Sequence, residues 1–472
     1  MIFSSIVFLC LFFPVVLIVY YLCPGSIRNL WLLFASLFFY AYGEPVYIFI
    51  MLFSTVFDYC NGRGIAYFQE KGKAESFGKA LLILSMVGNL GLLGFFKYAD
   101  FSIGTWNSLT GSSVKLLSVA LPIGISFYTF QTMSYTIDVY RKQVKCQKNF
   151  IDFAMYVCLF PQLIAGPIVR YSDIAEEIRG RKLSLSMVAE GLQRFSIGLG
   201  KKVLLANQIG ALYEEISGYT GNDRTLAVAW LGALAYAFQI YFDFSGYSDM
   251  AIGLGKMFGF HFPENFSYPY ESRSVTEFWR RWHMTLGGWF REYVYIPLGG
   301  NRKGFVRQVV NMAIVWFLTG LWHGASWNFV LWGMYYFVLL MLEKAVWKLW
   351  KKKSRQEKSL HFGHVYAMAA VLFGWVIFSC EDMSVLVEYI KAMFGIGVAI
   401  GNKLALYQWT NHGIFILMLA IGATSIPKRI AEKFVPSSAK NALLSLYSLV
   451  LLVLCVAFLI GGSYNPFLYF RF

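Results

Sequence analysis

The stretch Thr276–Gly333 decides how this chain is interpreted. It contains TEFWRRWH at 276–283, YIPLGGNR at 295–302 and GLWHGASWN at 320–328. Two histidines, His283 and His323, each follow a tryptophan within a strongly apolar sequence. A titratable side chain inside an apolar span is costly to place in a membrane, so it is a functional candidate by default. We predict that both histidines belong to one active site.

The composition is that of a membrane protein. Of the 472 residues, 57% are hydrophobic and 14% are charged, whereas soluble domains are about one quarter charged. The apolar runs that we interpret as candidate membrane segments are Ile2–Leu22, Leu30–Met51, Ala80–Phe96, Leu116–Tyr135, Phe153–Ile168, Leu226–Phe244, Val309–Trp322, Trp327–Leu342, Val365–Phe378, Gly413–Ile426 and Leu443–Gly461.

Several of these runs are shorter than the roughly 20 residues that a straight transmembrane helix needs. Short segments indicate broken or re-entrant helices, which are tolerated only where protein surrounds them or a cavity adjoins them. We predict an all-α, polytopic integral membrane protein with about ten to thirteen transmembrane or re-entrant helices, forming a single domain over residues 1–472.

The formal net charge of +15 does not indicate a nucleic-acid partner. The basic residues cluster between apolar runs, as retention of Lys and Arg on the cytoplasmic side produces. One cluster surrounds Arg302 and Arg307, and another lies between Lys344 and Lys358. If both are cytoplasmic, the apolar segments between them form a hairpin. Val309–Trp322 would then rise about 21 Å. This would carry His323, the next residue, past the midplane of a bilayer hydrocarbon core about 30 Å thick.

The segment Thr276–Phe290 has apolar and basic residues at helical spacing, so we predict one helix near the cytoplasmic face. Trp279, Trp282 and Trp289 are of the residue type that prefers the membrane interface. The alternative for this stripe is a simple interfacial anchor. This arrangement predicts that His283 lies near the cytoplasm.

Neither the cysteines nor the other histidines indicate a metal site. The seven cysteines are scattered and form no Cys-x-x-Cys pair, and the six histidines lack the spacing of zinc ligands. We interpret these cysteines as small buried hydrophobic residues.

The combined motifs resemble those of the membrane-bound O-acyltransferase family, and particularly its bacterial branch of alginate, polysaccharide and peptidoglycan O-acetyltransferases. The residues that carry the resemblance are FWRRWH at 278–283, WFREY at 289–293, YIPLGGNR at 295–302 and GLWHGA at 320–325, with LPIGISF at 121–127, FPQLIAGP at 160–167 and YFDFSGYSD at 241–249. The family-like core therefore covers about residues 121–333.

The resemblance implies a ring of helices around a central funnel in the bacterial cytoplasmic membrane. It also implies that His323 is the family's near-invariant histidine and that His283 is its second polar site residue. It implies that no cofactor is bound and that the thioester donor is acetyl-CoA or an acyl carrier protein. The expected partners are the lipid bilayer and an extracytoplasmic acetyltransferase subunit.

Histidine suits acyl transfer because its ordinary pKa lies near neutrality. A positioned general base contributes about 10²–10⁴-fold in rate. We predict that His323 deprotonates the acceptor hydroxyl, or that of a relaying partner, and that His283 orients the donor or assists the base. The sequence does not exclude the reversed roles. Asn328 and Ser326 are candidate donors to the developing oxyanion.

Two further groups of side chains remain ambiguous. Asp243 and Asp249 lie at the end of the apolar run Leu226–Phe244, and carboxylates at membrane depth are normally paired. A salt bridge or a helix cap is the structural interpretation, and a catalytic role is the alternative. Guanidinium groups can bind the phosphates of coenzyme A or anionic lipid headgroups. The arginines concerned are Arg280, Arg281, Arg291 and Arg302.

Three alternatives to O-acetylation remain. Transfer of D-alanine from a carrier protein to teichoic acid is the chemical neighbour within the same family. A transporter would share the broken helices and buried aspartates, but it does not explain the two Trp-His pairs, and no internal repeat is evident. A scaffold that recruits soluble partners through its basic loops is the third.

Overall fold

The computed structural model describes residues 1–353, 363–435, 440–462 and 468. Over these residues the regular structure is helical and contains no strand, which confirms the all-α prediction. The chain divides into two compact units, the first comprising Met1–Gly198 and Tyr247–Pro263, and the second Leu199–Gly246 and Glu264–Phe472. The single-domain prediction stays a prediction.

The α-helices of the described residues are numbered here in chain order. They are α1 Phe13–Leu22, α2 Arg28–Ala41, α3 Ile48–Glu70, α4 Lys79–Leu93, α5 Ala99–Thr110, α6 Ile125–Tyr140, α7 Phe150–Cys158, α8 Phe160–Leu163, α9 Tyr171–Arg179, α10 Leu185–Gly200, α11 Asn207–Ser217, α12 Leu226–Met257, α13 Val275–Arg281, α14 Met284–Phe290, α15 Phe305–His323, α16 Trp327–Lys353, α17 Gly363–Ser379, α18 Met383–Met393, α19 Lys403–Gly422, α20 Ile426–Phe434 and α21 Lys440–Gly461. Short π-helical and 3-10 segments join several of them.

Six helical stretches of the described chain are long and apolar enough to cross a membrane. They are Ala74–Thr110, Leu226–Met257, Phe305–His323, Trp327–Leu349, Lys403–Gly422 and Ala442–Gly461, with shorter apolar helices at Phe8–Leu22 and Gly363–Ser379. The polytopic architecture is therefore confirmed, while the total of about ten to thirteen segments stays a prediction.

Three predicted spans are interrupted. Leu30–Met51 separates into α2 and α3 around Gly43 and Pro45, because proline cannot continue a helix from the preceding turn. In Leu116–Tyr135 the helix begins only at α6, after Gly124 has turned the chain with φ +77°. Phe153–Ile168 contains only α7 and the single turn α8 before the chain becomes irregular. Two of these three runs are long enough to span a membrane, whereas the shorter runs Val309–Trp322, Trp327–Leu342 and Val365–Phe378 lie in continuous helices. The expectation that short runs mark broken helices is therefore wrong for these three.

The second unit contains the predicted hairpin, formed by α15 and α16. A Cβ atom added at Gly320 would lie 2.3 Å from the Phe329 carbonyl oxygen, and one at Gly333 would lie 2.3 Å from that of Trp316. Glycine at both positions therefore permits the two backbones to approach closely. The predicted cytoplasmic loop that follows includes Arg355 and Lys358, which lie outside the described residues.

Candidate active site

The prediction of one continuous helix over Thr276–Phe290 is wrong, because this segment forms two short helices. α13 ends at Arg281, Trp282 is extended, and His283 adopts left-handed angles of φ 44° and ψ 52° before α14 begins. A non-glycine residue in this region is uncommon and costs free energy, so the surrounding structure must hold it there. Helical spacing of apolar residues could not reveal a break made by a single residue.

Asn265 holds His283 in this conformation. The Asn265 side-chain oxygen lies 3.0 Å from Nδ1 of His283 and also accepts from the Thr285 hydroxyl at 2.9 Å. The Asn265 carbonyl oxygen accepts from the backbone N–H of Met284 at 3.0 Å. Because an amide oxygen only accepts, Nδ1 of His283 carries the proton and donates. The neutral ring therefore keeps a lone pair on Nε2.

Nε2 of His283 is buried and makes no hydrogen bond within the described part of the chain. The side chain is 2% exposed, and burial lowers its pKa to about 3 because the charged form loses its hydration. An imidazole with this pKa is neutral at physiological pH. It can therefore accept a proton or a hydrogen bond from a reacting molecule.

His323 ends α15 and lies among aromatic rings. Its imidazole meets Trp322, Trp332 and Phe378 edge-on, with ring centroids 5.0, 5.0 and 5.1 Å away. The following Gly324 is extended, and a Cβ there would lie 2.2 Å from the Phe329 ring. Gly324 thus lets the chain turn into α16 without displacing the aromatic wall.

The structure brings the two histidines together at one tryptophan. Trp322 lies 5.9 Å from the His283 ring and 5.0 Å from the His323 ring, measured between centroids. Phe244 adds a second wall, 4.7 Å from His283. The predicted pairing of the two histidines at one site is consistent with this geometry, while their difference in bilayer depth stays a prediction.

The tryptophans expected at the membrane interface are instead packed inside the protein. Trp282 and Trp289 are buried, and the half-buried Trp279 meets Trp332 and Tyr336 edge-on at 5.3 and 4.7 Å. Their residue type favours both an interface and an aromatic core. Long-range packing, which the sequence pattern does not display, decides between the two.

A narrow pocket, with room for about one water molecule, adjoins His323. Its walls are mainly aromatic and its polar members are His323 and Asp243, so a ligand in it would meet an imidazole and a carboxylate in apolar surroundings. The lining residues are Ile240, Asp243, Phe244, Trp282, His323, Trp332, Trp375, Phe378 and Leu468.

Asp243 is half of a buried ion pair. Its carboxylate lies 2.7 Å from the Lys202 ammonium and accepts from the backbone N–H of Leu468 at 3.0 Å. The prediction that the apolar helix ends near Phe244 is wrong, since α12 continues to Met257. Asp243 therefore caps no helix; a paired carboxylate can lie inside a buried helix because its charge is compensated.

Asp249 is also paired, within the first unit. The Arg194 guanidinium contacts its carboxylate through two nitrogens at 2.6 and 2.7 Å. Like Asp243, it lies within α12 and does not cap a helix. The ion pair is the arrangement expected of a structural carboxylate, and a catalytic role for either aspartate stays a prediction.

The four arginines differ in their availability. Arg281 is engaged inside the protein, with ion pairs to Glu277 at 2.7 Å and Glu271 at 3.6 Å. The other three are exposed and form no ion pair among the described residues; they are Arg280, Arg291 and Arg302. Exposed guanidinium groups are the ones able to meet a phosphorylated donor.

The Asn328 amide is already used within the fold. Its N–H₂ donates to the carbonyl oxygens of Ile377 and Phe378 at 3.3 and 3.0 Å, which ties the start of α16 to the end of α17. It is therefore not positioned to donate to an oxyanion. Ser326 is half-buried in the turn between α15 and α16, and its predicted role stays a prediction.

Sequence reasoning missed several members of the site. Asn265, Lys202 and the aromatic residues Trp332, Trp375 and Phe378 lie beyond the recognised motifs. Asn265 had no spacing signal, because its bond to His283 depends on the loop between α12 and α13. The ion pair of Lys202 could have been suspected, since a lysine within an apolar helix needs a partner.

Comparison with known proteins identifies the family. The profile described as "MBOAT, membrane-bound O-acyltransferase family" matches residues 130–387, which is more than half of the chain. The chain belongs to this family. It is therefore a multi-pass membrane O-acyltransferase, as the resemblance implied, and the transporter and scaffold alternatives are set aside.

Individual relatives agree with this assignment. The chain is 43% identical to the "probable alginate O-acetylase AlgI" of Azotobacter vinelandii, over 89% of this chain and 83% of the relative. It is 31% identical to the peptidoglycan O-acetyltransferase of Helicobacter pylori, over 100% and 98%. The teichoic acid D-alanyltransferase of Streptococcus thermophilus is 30% identical over only 49% of this chain and 58% of its own length.

Proposed function

We propose that this membrane O-acyltransferase moves an acetyl group from a cytoplasmic thioester, acetyl-CoA, toward an exported polysaccharide or peptidoglycan. The observation that carries the proposal is the geometry of the two histidines. Both rings contact Trp322, and His323 lies on the wall of an apolar pocket. Acyl transfer needs a neutral base in a place from which water is excluded.

His323 acts as the general base in this proposal. It takes the proton from the acceptor hydroxyl as the oxygen forms its bond to the acyl carbon. The tetrahedral intermediate then collapses, the carbon–sulfur bond breaks, and the leaving thiolate takes up the proton.

His283 assists from the other side of Trp322. Its Nε2 lone pair can accept a hydrogen bond from the acceptor hydroxyl or from a bound water, because Asn265 holds the proton on Nδ1. The assignment of base and assistant follows from the pocket, which His323 lines and His283 does not. Exposed Arg280, Arg291 and Arg302 are the proposed contacts of the donor's phosphates.

The relatives' names support the proposed acceptor. An alginate O-acetylase and a peptidoglycan O-acetyltransferase match most of the chain, whereas the D-alanyltransferase matches about half. We therefore favour acetyl over D-alanyl transfer, in the bacterial cytoplasmic membrane. An extracytoplasmic acetyltransferase subunit would receive the acetyl group and complete its delivery to the polymer.

Donor competition in proteoliposomes tests this proposal. The purified protein would be supplied with radiolabelled acetyl-CoA, an acetylated acyl carrier protein, or a D-alanyl carrier protein, together with an alginate or peptidoglycan fragment and the extracytoplasmic subunit. We expect label from acetyl-CoA to reach the glycan. Label transferred from the D-alanyl carrier alone would overturn the proposal in favour of teichoic acid modification.

A further inference from the structure

The helix α20, Ile426–Phe434, stands apart from the packed body of the second unit. None of its residues is buried, and every position from 426 to 434 is exposed. A nine-residue helix that buries none of its side chains against the described residues is too short to be stable alone in water. It therefore needs a surface on which to lie.

The two sides of α20 differ in chemistry. Ile426, Ile430 and Phe434 recur every fourth residue, so they share one face, and all three are exposed. Lys428 and Glu432 lie on the opposite side, and Arg429 and Lys433 flank the apolar face. A short helix with an apolar face bordered by basic side chains suits the boundary between acyl chains and anionic headgroups.

The neighbours of α20 place it beside a membrane. The helix α19 before it and most of α21 after it are each long and apolar enough to cross the bilayer. Only residues 423–425 separate the end of α19 from the start of α20. A chain that leaves one span so shortly before this helix delivers it to the interface.

We propose that α20 lies in the plane of the membrane interface and binds anionic phospholipids of the phosphatidylglycerol class. Lys428, Arg429 and Lys433 contact the phosphates, and the Ile426–Ile430–Phe434 face enters the acyl-chain boundary. Juxtamembrane basic residues are attracted by anionic lipid surfaces, while the apolar face supplies the burial that the protein itself does not.

The proposed lipid site is connected to the segment that carries His283. Ser425, directly before α20, donates from its backbone N–H and its hydroxyl to the Glu271 carboxylate at 2.7 and 2.6 Å. Glu271 in turn lies 3.6 Å from the guanidinium of Arg281, two residues before His283. Lipid contact at α20 therefore steadies the C-terminal end of α13 through two successive polar links, Ser425 to Glu271 and Glu271 to Arg281.

Photo-crosslinking of the full-length protein tests the proposal. A benzophenone amino acid would replace Ile430 on the apolar face or, as the matched control on the same helix, Glu432 on the polar face. The protein would be reconstituted in vesicles of phosphatidylcholine and phosphatidylglycerol, illuminated, and its lipid adducts measured by mass spectrometry. We expect phospholipid adducts at position 430 to exceed those at 432 at least about fivefold.

Charge variants identify the headgroup. With the probe at 430, we expect phosphatidylglycerol adducts to be enriched over the vesicle composition, and the enrichment to disappear in K428Q/R429Q/K433Q but persist in K428R/R429K/K433R. Equal adducts at 430 and 432, adducts to a protein instead of lipid in native membranes, or unchanged enrichment in the neutral triple variant would each overturn the proposal.

Discussion

At the scale of single residues, Asn265 determines how His283 is held. His283 and His323 are conspicuous because titratable side chains are rare in apolar sequence. The left-handed backbone of His283 and its bond to Asn265 are long-range consequences of the fold. No periodicity encodes a contact between a loop and a helix break, so sequence reasoning could not find Asn265.

Replacing Asn265 tests whether it positions His283. Asn265→Ala should lower kcat about 10-fold or more, because His283 loses the acceptor that fixes its tautomer. Thr285→Val removes another donor to the same amide oxygen and is the control, with a small expected effect. A wild-type kcat in a folded Asn265→Ala protein would contradict the positioning role.

The pH profile of Asn265→Asp makes the same test in a different way. In the wild type, burial holds the pKa of His283 at about 3, so the imidazole stays neutral between about pH 5 and pH 8. A carboxylate beside Nδ1 would stabilise the imidazolium and raise that pKa. We expect the acid limb of the rate to move to higher pH; an unshifted limb would contradict the assignment.

At the scale of elements, the apolar helices were predicted well and their interruptions poorly. The boundaries of α15 and α17 follow their hydrophobic runs within a few residues, because apolar length dominates a membrane helix. The break between α13 and α14 escaped prediction because both helices continue the same apolar spacing. The buried Glu343, which appeared to belong to a basic loop, instead accepts from Val275 and Thr276 at the start of α13.

Removing this carboxylate should destabilise α13. Glu343 receives two backbone N–H groups and the Thr276 hydroxyl at 2.5–2.9 Å, and hydrogen bonds to a charged group contribute about 1.5–3 kcal/mol each. We expect Glu343→Ala to lower the thermal unfolding temperature in detergent, whereas exposed Glu381→Ala should leave it nearly unchanged. Equal melting temperatures would show that Glu343 is not a cap.

The hairpin of α15 and α16 makes a separate prediction. Gly320→Ala places a methyl group 2.3 Å from the Phe329 carbonyl oxygen, so the helices must separate. We expect a loss of about 1–3 kcal/mol in stability, measured by unfolding in detergent. Gly413→Ala in α19 meets no atom within 4 Å and should be neutral; similar losses in both variants would refute close packing at Gly320.

At the scale of the whole molecule, composition and apolar runs sufficed to predict an all-α polytopic membrane protein, because lipid permits few architectures. That Lys202 and Asp243 each need a partner could be expected from sequence, but not that they pair with each other, since only tertiary structure brings α12 against the π-helical segment Lys201–Ala206. Asp243 lines the pocket at the candidate site. An experiment must therefore distinguish a structural role of the ion pair from a role in the chemistry.

A double variant separates those roles. Lys202→Met alone leaves a buried carboxylate uncompensated and should cost about 3–5 kcal/mol, whereas Lys202→Met with Asp243→Leu should recover most of it. Detergent unfolding measures both. If the stable double variant retains acetyl transfer, the pair is structural; if it is stable and inactive, Asp243 takes part in the chemistry.

The most direct test of the central claim is the acetyl-transfer rate of His323→Gln in proteoliposomes, measured with its unfolding temperature. His412→Gln, in α19 away from the pocket, is the control. We predict a fall of about 10²–10⁴-fold for His323→Gln with normal folding, and a wild-type rate for the control. A folded His323→Gln protein that transfers acetyl groups at the wild-type rate would contradict the claim that His323 is the base.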